Sequence, residues 1–130
     1  EKFFHGLYNN GTWIHLADFN GYILTQLLKK LEIPIHYLKA SDYTFQGTKS
    51  ELVLDMCKQL GADTYIFGAL GREYADVGAF ERAGVKVIFQ DYRHPIYQQF
   101  GGSFMSHLSV IDLLFHHGPQ AKAIILANHS

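Results

Sequence analysis

Between residues 12 and 31 the apolar side chains fall at Leu16, Phe19, Ile23, Leu27, Leu28 and Leu31, steps of three and four that put them on one helix face. Pro34 cannot extend such a helix, and the β-branched and aromatic run over residues 33–38 predicts a short strand. A polar stretch with Ser41, Asp42 and Gly47 follows. Thr48-Lys49-Ser50-Glu51 then has the form of a capping box, in which hydroxyl and carboxylate each satisfy an orphan amide of the first turn. A helix is therefore expected to start there, burying Leu52, Val53, Met56, Cys57 and Leu60 and stopping at Gly61.

The pattern then repeats. Thr64-Tyr65-Ile66-Phe67 reads as a strand, 68–71 as a loop, 77–83 as a short helix stopped by Gly84, and 85–89 as a third strand. Strands and helices alternating with connections this short predict a parallel sheet with crossover helices. The expected fold class is α/β, a Rossmann-like three-layer αβα arrangement with a small parallel sheet of about three strands. Residues 91–106 are irregular and rich in Tyr, His, Gln and Gly, and Ser109 opens a final helical region over 110–115, with Pro119 starting another that runs to 127. No interior linker or low-complexity tract interrupts residues 1–130, which read as one domain.

Composition narrows the function classes. The 130 residues carry 11 basic and 12 acidic side chains, so no global field draws in nucleic acid or an anionic membrane, and any anion site must be local. No apolar run reaches the roughly 18 residues of a membrane span. Cys57, the single cysteine, cannot form an internal disulfide, and its place in a helical apolar pattern suggests an inert core thiol in a reducing, cytoplasmic compartment. The sequence opens at Glu1 without a methionine, which suggests processing or a piece of a longer chain.

Ligands of open parallel sheets bind beyond the carboxyl ends of the strands, where loops meet helix N-termini. Residues 41–49, 68–74 and 91–99 occupy those positions and are the polar segments. Gly68 and Gly71 would let backbone amides approach an anion, with Arg72 adding a forked donor; equally, two glycines there are ordinary turn residues. Their spacing matches neither a Walker loop nor a dinucleotide fingerprint, and the cofactor stays unassigned. Lys49 could hold phosphate or carboxylate, or be a solvated surface lysine. Asp91, His94 and Tyr97 supply an acid, a base candidate and a phenol, and the same residues could instead cap and pack a rigid turn. Asp112 shares a helix face with Leu108 and Phe115; it is a candidate buried acid or the acidic half of a second capping box with Ser109. Eight histidines invite a metal hypothesis, but no ligand spacing supports one: His116 and His117 are adjacent, so their rings diverge by about 100° on a helix.

In succession, Gly47-Thr48-Lys49-Ser50-Glu51-Leu52, Leu60-Gly61-Ala62-Asp63-Thr64-Tyr65 with Gly68, Ala83-Gly84-Val85-Lys86-Val87 leading to Gln90-Asp91-Tyr92 and His94-Pro95-Ile96-Tyr97, and Leu108-Ser109-Val110-Ile111-Asp112-Leu113-Leu114-Phe115 resemble the WbqC-like family of bacteria over residues 13–126. The resemblance is to the C-terminal portion of that family, whose members carry a further N-terminal segment. It implies a Rossmann-like protein of surface-polysaccharide (O-antigen) biosynthesis, with transfer of glycine or another amino acid to a sugar as the suggested activity. Matching positions are Gly68, Tyr74, Asp91, His94, Pro95, Tyr97, Gln99, Leu108, Ser109 and Asp112. His107 and His116 stand where the family usually has asparagine.

The resulting expectation is a transferase whose catalytic residues are His94, Asp91 and Asp112. Lys49, Gly68, Gly71, Arg72, Tyr74, Tyr97 and Gln99 would bind a small anionic substrate, such as a nucleotide sugar or an activated acyl donor. A non-catalytic binding or scaffold module and an inert fragment of a nucleotide-dependent enzyme are the alternatives. Homodimerisation through exposed aromatics is left open.

Overall fold

In the computed structural model the described residues are 2–10 and 12–127. They comprise α1 (Lys2–Asn10), α2 (Leu16–Lys30), α3 (Lys49–Gln59), β1 (Thr64–Phe67), α4 (Val77–Arg82), β2 (Lys86–Phe89), α5 (Val110–His117) and α6 (Ala121–Leu126), with short 3-10 turns at Ala40–Asp42, Ala69–Glu73 and Gly118–Gln120. None of these helices is long and apolar enough to cross a membrane. The chain groups into two compact units, one formed by the residues up to Tyr37 together with Tyr97–Leu126, the other by Leu38–Ile96.

The second unit holds the sheet. β1 and β2 pair in parallel, in register from Thr64 opposite Lys86 to Phe67 opposite Phe89. α4 lies in the crossover between them, which makes the fold α/β, with two strands rather than three among the described residues. Residues 33–38 are the correction. They are irregular and mostly exposed, and the Ile35 amide donates to the Ile33 carbonyl (3.1 Å) across Pro34. Proline's fixed φ suits that tight turn and its missing N–H removes a ladder donor, so β propensity there finds no pairing partner. The unit's core is Cys57 from α3, Phe67 from β1, Phe80 from α4 and Val85 ahead of β2, with the rings of Phe67 and Phe80 5.4 Å apart.

In the first unit, Leu31, Tyr97, Leu113 and Ala121 form the core. α2 carries Asp18 in its first turn and Lys29 and Lys30 in its last, the arrangement that its dipole favours. α1, for which the sequence reading made no prediction, contributes Leu7 as a buried residue and ends close enough for Trp13 Nε1 to donate to the Leu7 carbonyl (3.3 Å).

Three helices stop in the same way. The amides of Glu32 and Ile33, Gly61 and Ala62, and Gly84 and Val85 donate back to the carbonyls of Lys29 and Leu28, Lys58 and Cys57, and Glu81 and Phe80. This is the Schellman closure, which puts a left-handed residue just past the helix. Gly61 and Gly84 take that position at φ of 66° and 77°, and Glu32 takes it at 53°.

Candidate functional site

The candidate residues of the second unit are positioned by the carboxyl edge of its parallel pair. Because Phe67 and Phe89 are in register, the segments that leave them start side by side, and the Gln90 amide donates to the Phe67 carbonyl (2.8 Å). Behind β1 the chain turns at once: Gly71 donates to the Gly68 carbonyl (2.9 Å), and Tyr74 and Ala75 donate to the Gly71 carbonyl. A Cβ on Gly71 would lie 2.5 Å from the Phe67 Cβ, so this glycine is what lets the turn fold down onto the strand. Arg72 then projects over β2, its guanidinium carbon 4.6 Å from the centre of the Phe89 ring. The contact is a cation–π pairing that leaves the guanidinium edge available for hydrogen bonds. Tyr74 packs edge-on against Phe67 with half of its surface exposed.

Behind β2, Asp91 and Arg93 form an exposed ion pair (3.8 Å). His94 is half-buried, and its Nδ1 lies 2.8 Å from the Pro95 carbonyl. A carbonyl only accepts, so Nδ1 carries the proton and Nε2 is the basic nitrogen of the neutral ring. Lys49 is exposed at the start of α3 with a left-handed backbone (φ 49°). Thr48 occupies the N-cap without a side-chain cap bond; its backbone carbonyl accepts from Glu51 and Leu52. The expected helix thus starts where the capping box placed it but is closed by different atoms. Ser50 is buried, and its hydroxyl accepts the Asp76 amide (2.9 Å).

The first unit brings together Tyr97, Gln99 and Asp112. One carboxylate oxygen of Asp112 accepts from the Tyr97 hydroxyl (2.8 Å) and from Gln99 Nε2 (2.9 Å). Gln99 also clasps Met105, taking its amide at Oε1 (2.8 Å) and reaching its carbonyl with Nε2 (3.0 Å). Ser109 caps α5 by accepting the Ile111 amide (3.3 Å). His116, which the sequence reading did not include in the site, completes the network. Its Nδ1 donates to the Asp112 carbonyl (2.7 Å) and lies 3.4 Å from the other carboxylate oxygen, while Nε2 accepts the Phe100 amide (2.9 Å). The i,i+4 spacing of Asp112 and His116 on α5 was the available signal.

Among the described residues no group of three or more His, Cys, Asp or Glu could hold a metal ion; His129 lies outside them. Cys57 is buried, and burial pushes its thiol above the usual cysteine range. Tyr65 is likewise shifted up, first by burial and then by the neighbouring Tyr74 and Cys57.

These features define an α/β protein with a polar strand edge and a separately braced helix–loop pair. The chain belongs to the WbqC-like protein family, whose model matches residues 1–124. It is 30% identical over 108 residues to the uncharacterized protein Rv1507c of Mycobacterium tuberculosis (strain ATCC 25618 / H37Rv), an alignment covering 82% of this chain and 47% of that protein. The chain therefore spans about half the length of that relative. No solved structure matches it.

Proposed function

We propose that this chain belongs to an enzyme of bacterial surface-polysaccharide synthesis that transfers an amino acid or other acyl group to a sugar, and that the carboxyl edge of β1 and β2 binds the anionic donor. The resemblance set out from the sequence supplies the reaction class. The observation that carries the site is Arg72 stacked on Phe89, which draws the 68–74 turn over the end of β2, where the Asp91–His94 segment begins. In this reading the strand pair with its crossover helix is the kernel of a Rossmann-like sheet, whose ligands bind at that edge.

Arg72 and Lys49 neutralise the phosphate or carboxylate of the donor, the Gly68 and Gly71 turn gives it room, and Tyr74 offers a ring face. His94 acts as general base: Nε2 takes the proton of the sugar hydroxyl or amine as that atom attacks the acyl carbonyl, and the donor leaves with the bonding pair. Asp91, three residues before it, stabilises the imidazolium that forms. Tyr97, Gln99 and Asp112 hold the loop of their own unit in shape.

Titration calorimetry with UDP-sugars and with acyl-adenylate analogues tests this reading. Binding is expected for the native chain, at least tenfold weaker binding for Arg72→Ala, and retained binding without transfer for His94→Ala. Equal affinity in native and Arg72→Ala protein would remove the strand edge from consideration. Binding with no transfer by the native protein would favour a non-catalytic module.

A further inference from the structure

We propose a second ligand site, in the first unit and independent of the strand edge: a cleft that takes a small anion with an apolar body. The cavity measures about 340 Å³, at the small end of the roughly 300–1,000 Å³ range of small-molecule pockets. Its walls are Phe3 and Phe4 of α1 and Leu114 and Phe115 of α5, with Lys30 and Lys122 beside them. The aromatic wall is continuous: Phe3 and Phe4 meet edge to face at 4.9 Å, and Phe4 stacks on Phe115 at 5.9 Å.

Charge decides the ligand class. Both lysines are held at the cleft by contacts of their own. The Lys30 ammonium lies 5.0 Å from the centre of the Phe3 ring, and the Lys122 ammonium donates to the Glu32 backbone carbonyl (2.7 Å). An ammonium has three donors, and that bond uses one of them. Glu32 is the acidic lining residue, so the lining carries two positive charges against one negative. A neutral hydrocarbon would leave the net positive charge of the lining unmatched, and a cationic amphiphile would meet net repulsion. A carboxylate or phosphate monoester on an eight-carbon chain or a phenyl ring satisfies both the walls and the lysines.

The experiment uses the full chain, with octanoate, octyl phosphate, octanol and octylammonium as probes, read by amide chemical-shift mapping. Saturable shifts at Phe4, Leu114, Phe115 and Lys122 are expected with the two anions. Octanol and octylammonium should bind at least tenfold more weakly, and a Lys30→Gln, Lys122→Gln double variant should lose octanoate about tenfold while keeping its spectrum. Octanoate favoured over octyl phosphate, or the reverse, identifies the headgroup. Equal binding of anion and cation, saturation elsewhere on the chain, or unaltered affinity in the folded double variant each overturns the proposal. So does absence of binding by both anions. Arg72→Ala, which tests the strand edge, should leave octanoate binding unchanged, so the two sites fail independently.

Discussion

Asp112 shows how a single carboxylate can order a loop. Its oxygen joins Tyr97 and Gln99, Gln99 clasps Met105, and His116 fastens the Phe100 amide, so residues 97–105 are tied to α5 largely by side chains. Removing the acceptor leaves a buried phenol and an amide short of a partner, at a cost of roughly 1–3 kcal/mol. Asp112→Ala is therefore expected to lower the unfolding free energy measured by urea denaturation by that amount, with Asp112→Asn losing less because an amide oxygen still accepts. Gly71 is the second residue that tolerates little change. A methyl group 2.5 Å from the Phe67 Cβ cannot be accommodated without moving β1 or the turn. Gly71→Ala should destabilise by about 1–3 kcal/mol in the same denaturation assay. If it does not, the close approach of turn and strand is wrong.

The three Schellman closures turn one motif into a graded test of elements. At Gly61 and Gly84 the left-handed φ is met by glycine, and alanine there should cost about 1 kcal/mol each. At Glu32 the same conformation is imposed on a residue with a Cβ, so Glu32→Gly is expected to raise the thermal midpoint by the equivalent of about 0.5–1 kcal/mol. This contrast also marks what could be read in advance. Periodicity and glycine stops placed α3, α4, β1 and β2 within a residue or two, because local chemistry fixes those boundaries. Residues 33–38 had the composition of a strand, but pairing needs a partner that propensity cannot provide. α1 leaves only a faint trace in the sequence, the spacing of Phe3, Phe4 and Leu7. Of the site, Tyr97, Gln99 and Asp112 were each singled out, whereas their convergence, and the place of His116 in it, depends on a loop whose path no local pattern encodes.

For the molecule as a whole, two acids that titrate at high pH, the buried Cys57 and the half-buried Tyr65, set a limit. Cys57 and Tyr65 are both held in their neutral forms, above their ordinary values of 9.0 and 10.0. The folded state thus retains protons that the unfolded chain gives up, and the stability from these groups is complete below about pH 9. It falls as pH rises through the folded-state values. Chemical denaturation across pH 8–11 should show that decline, with a smaller slope in Cys57→Ala. A flat profile in the native protein would mean that neither group is shielded.

The order of the chain through the two units bears on synthesis. Leu38–Ile96 is one continuous stretch, whereas the first unit draws its core from Leu31 on one side of that stretch and from Tyr97, Leu113 and Ala121 on the other, and Lys122 reaches back 90 positions to Glu32. A ribosome emits residues in sequence, so α3, β1, α4 and β2 can complete their packing while α5 and α6 are still inside the exit tunnel. Until Ala121 emerges, Leu31 at the end of α2 lacks part of the core it packs into. The first unit is thus the part whose core closes last, and Leu38–Ile96 is the part that can pack without waiting for it.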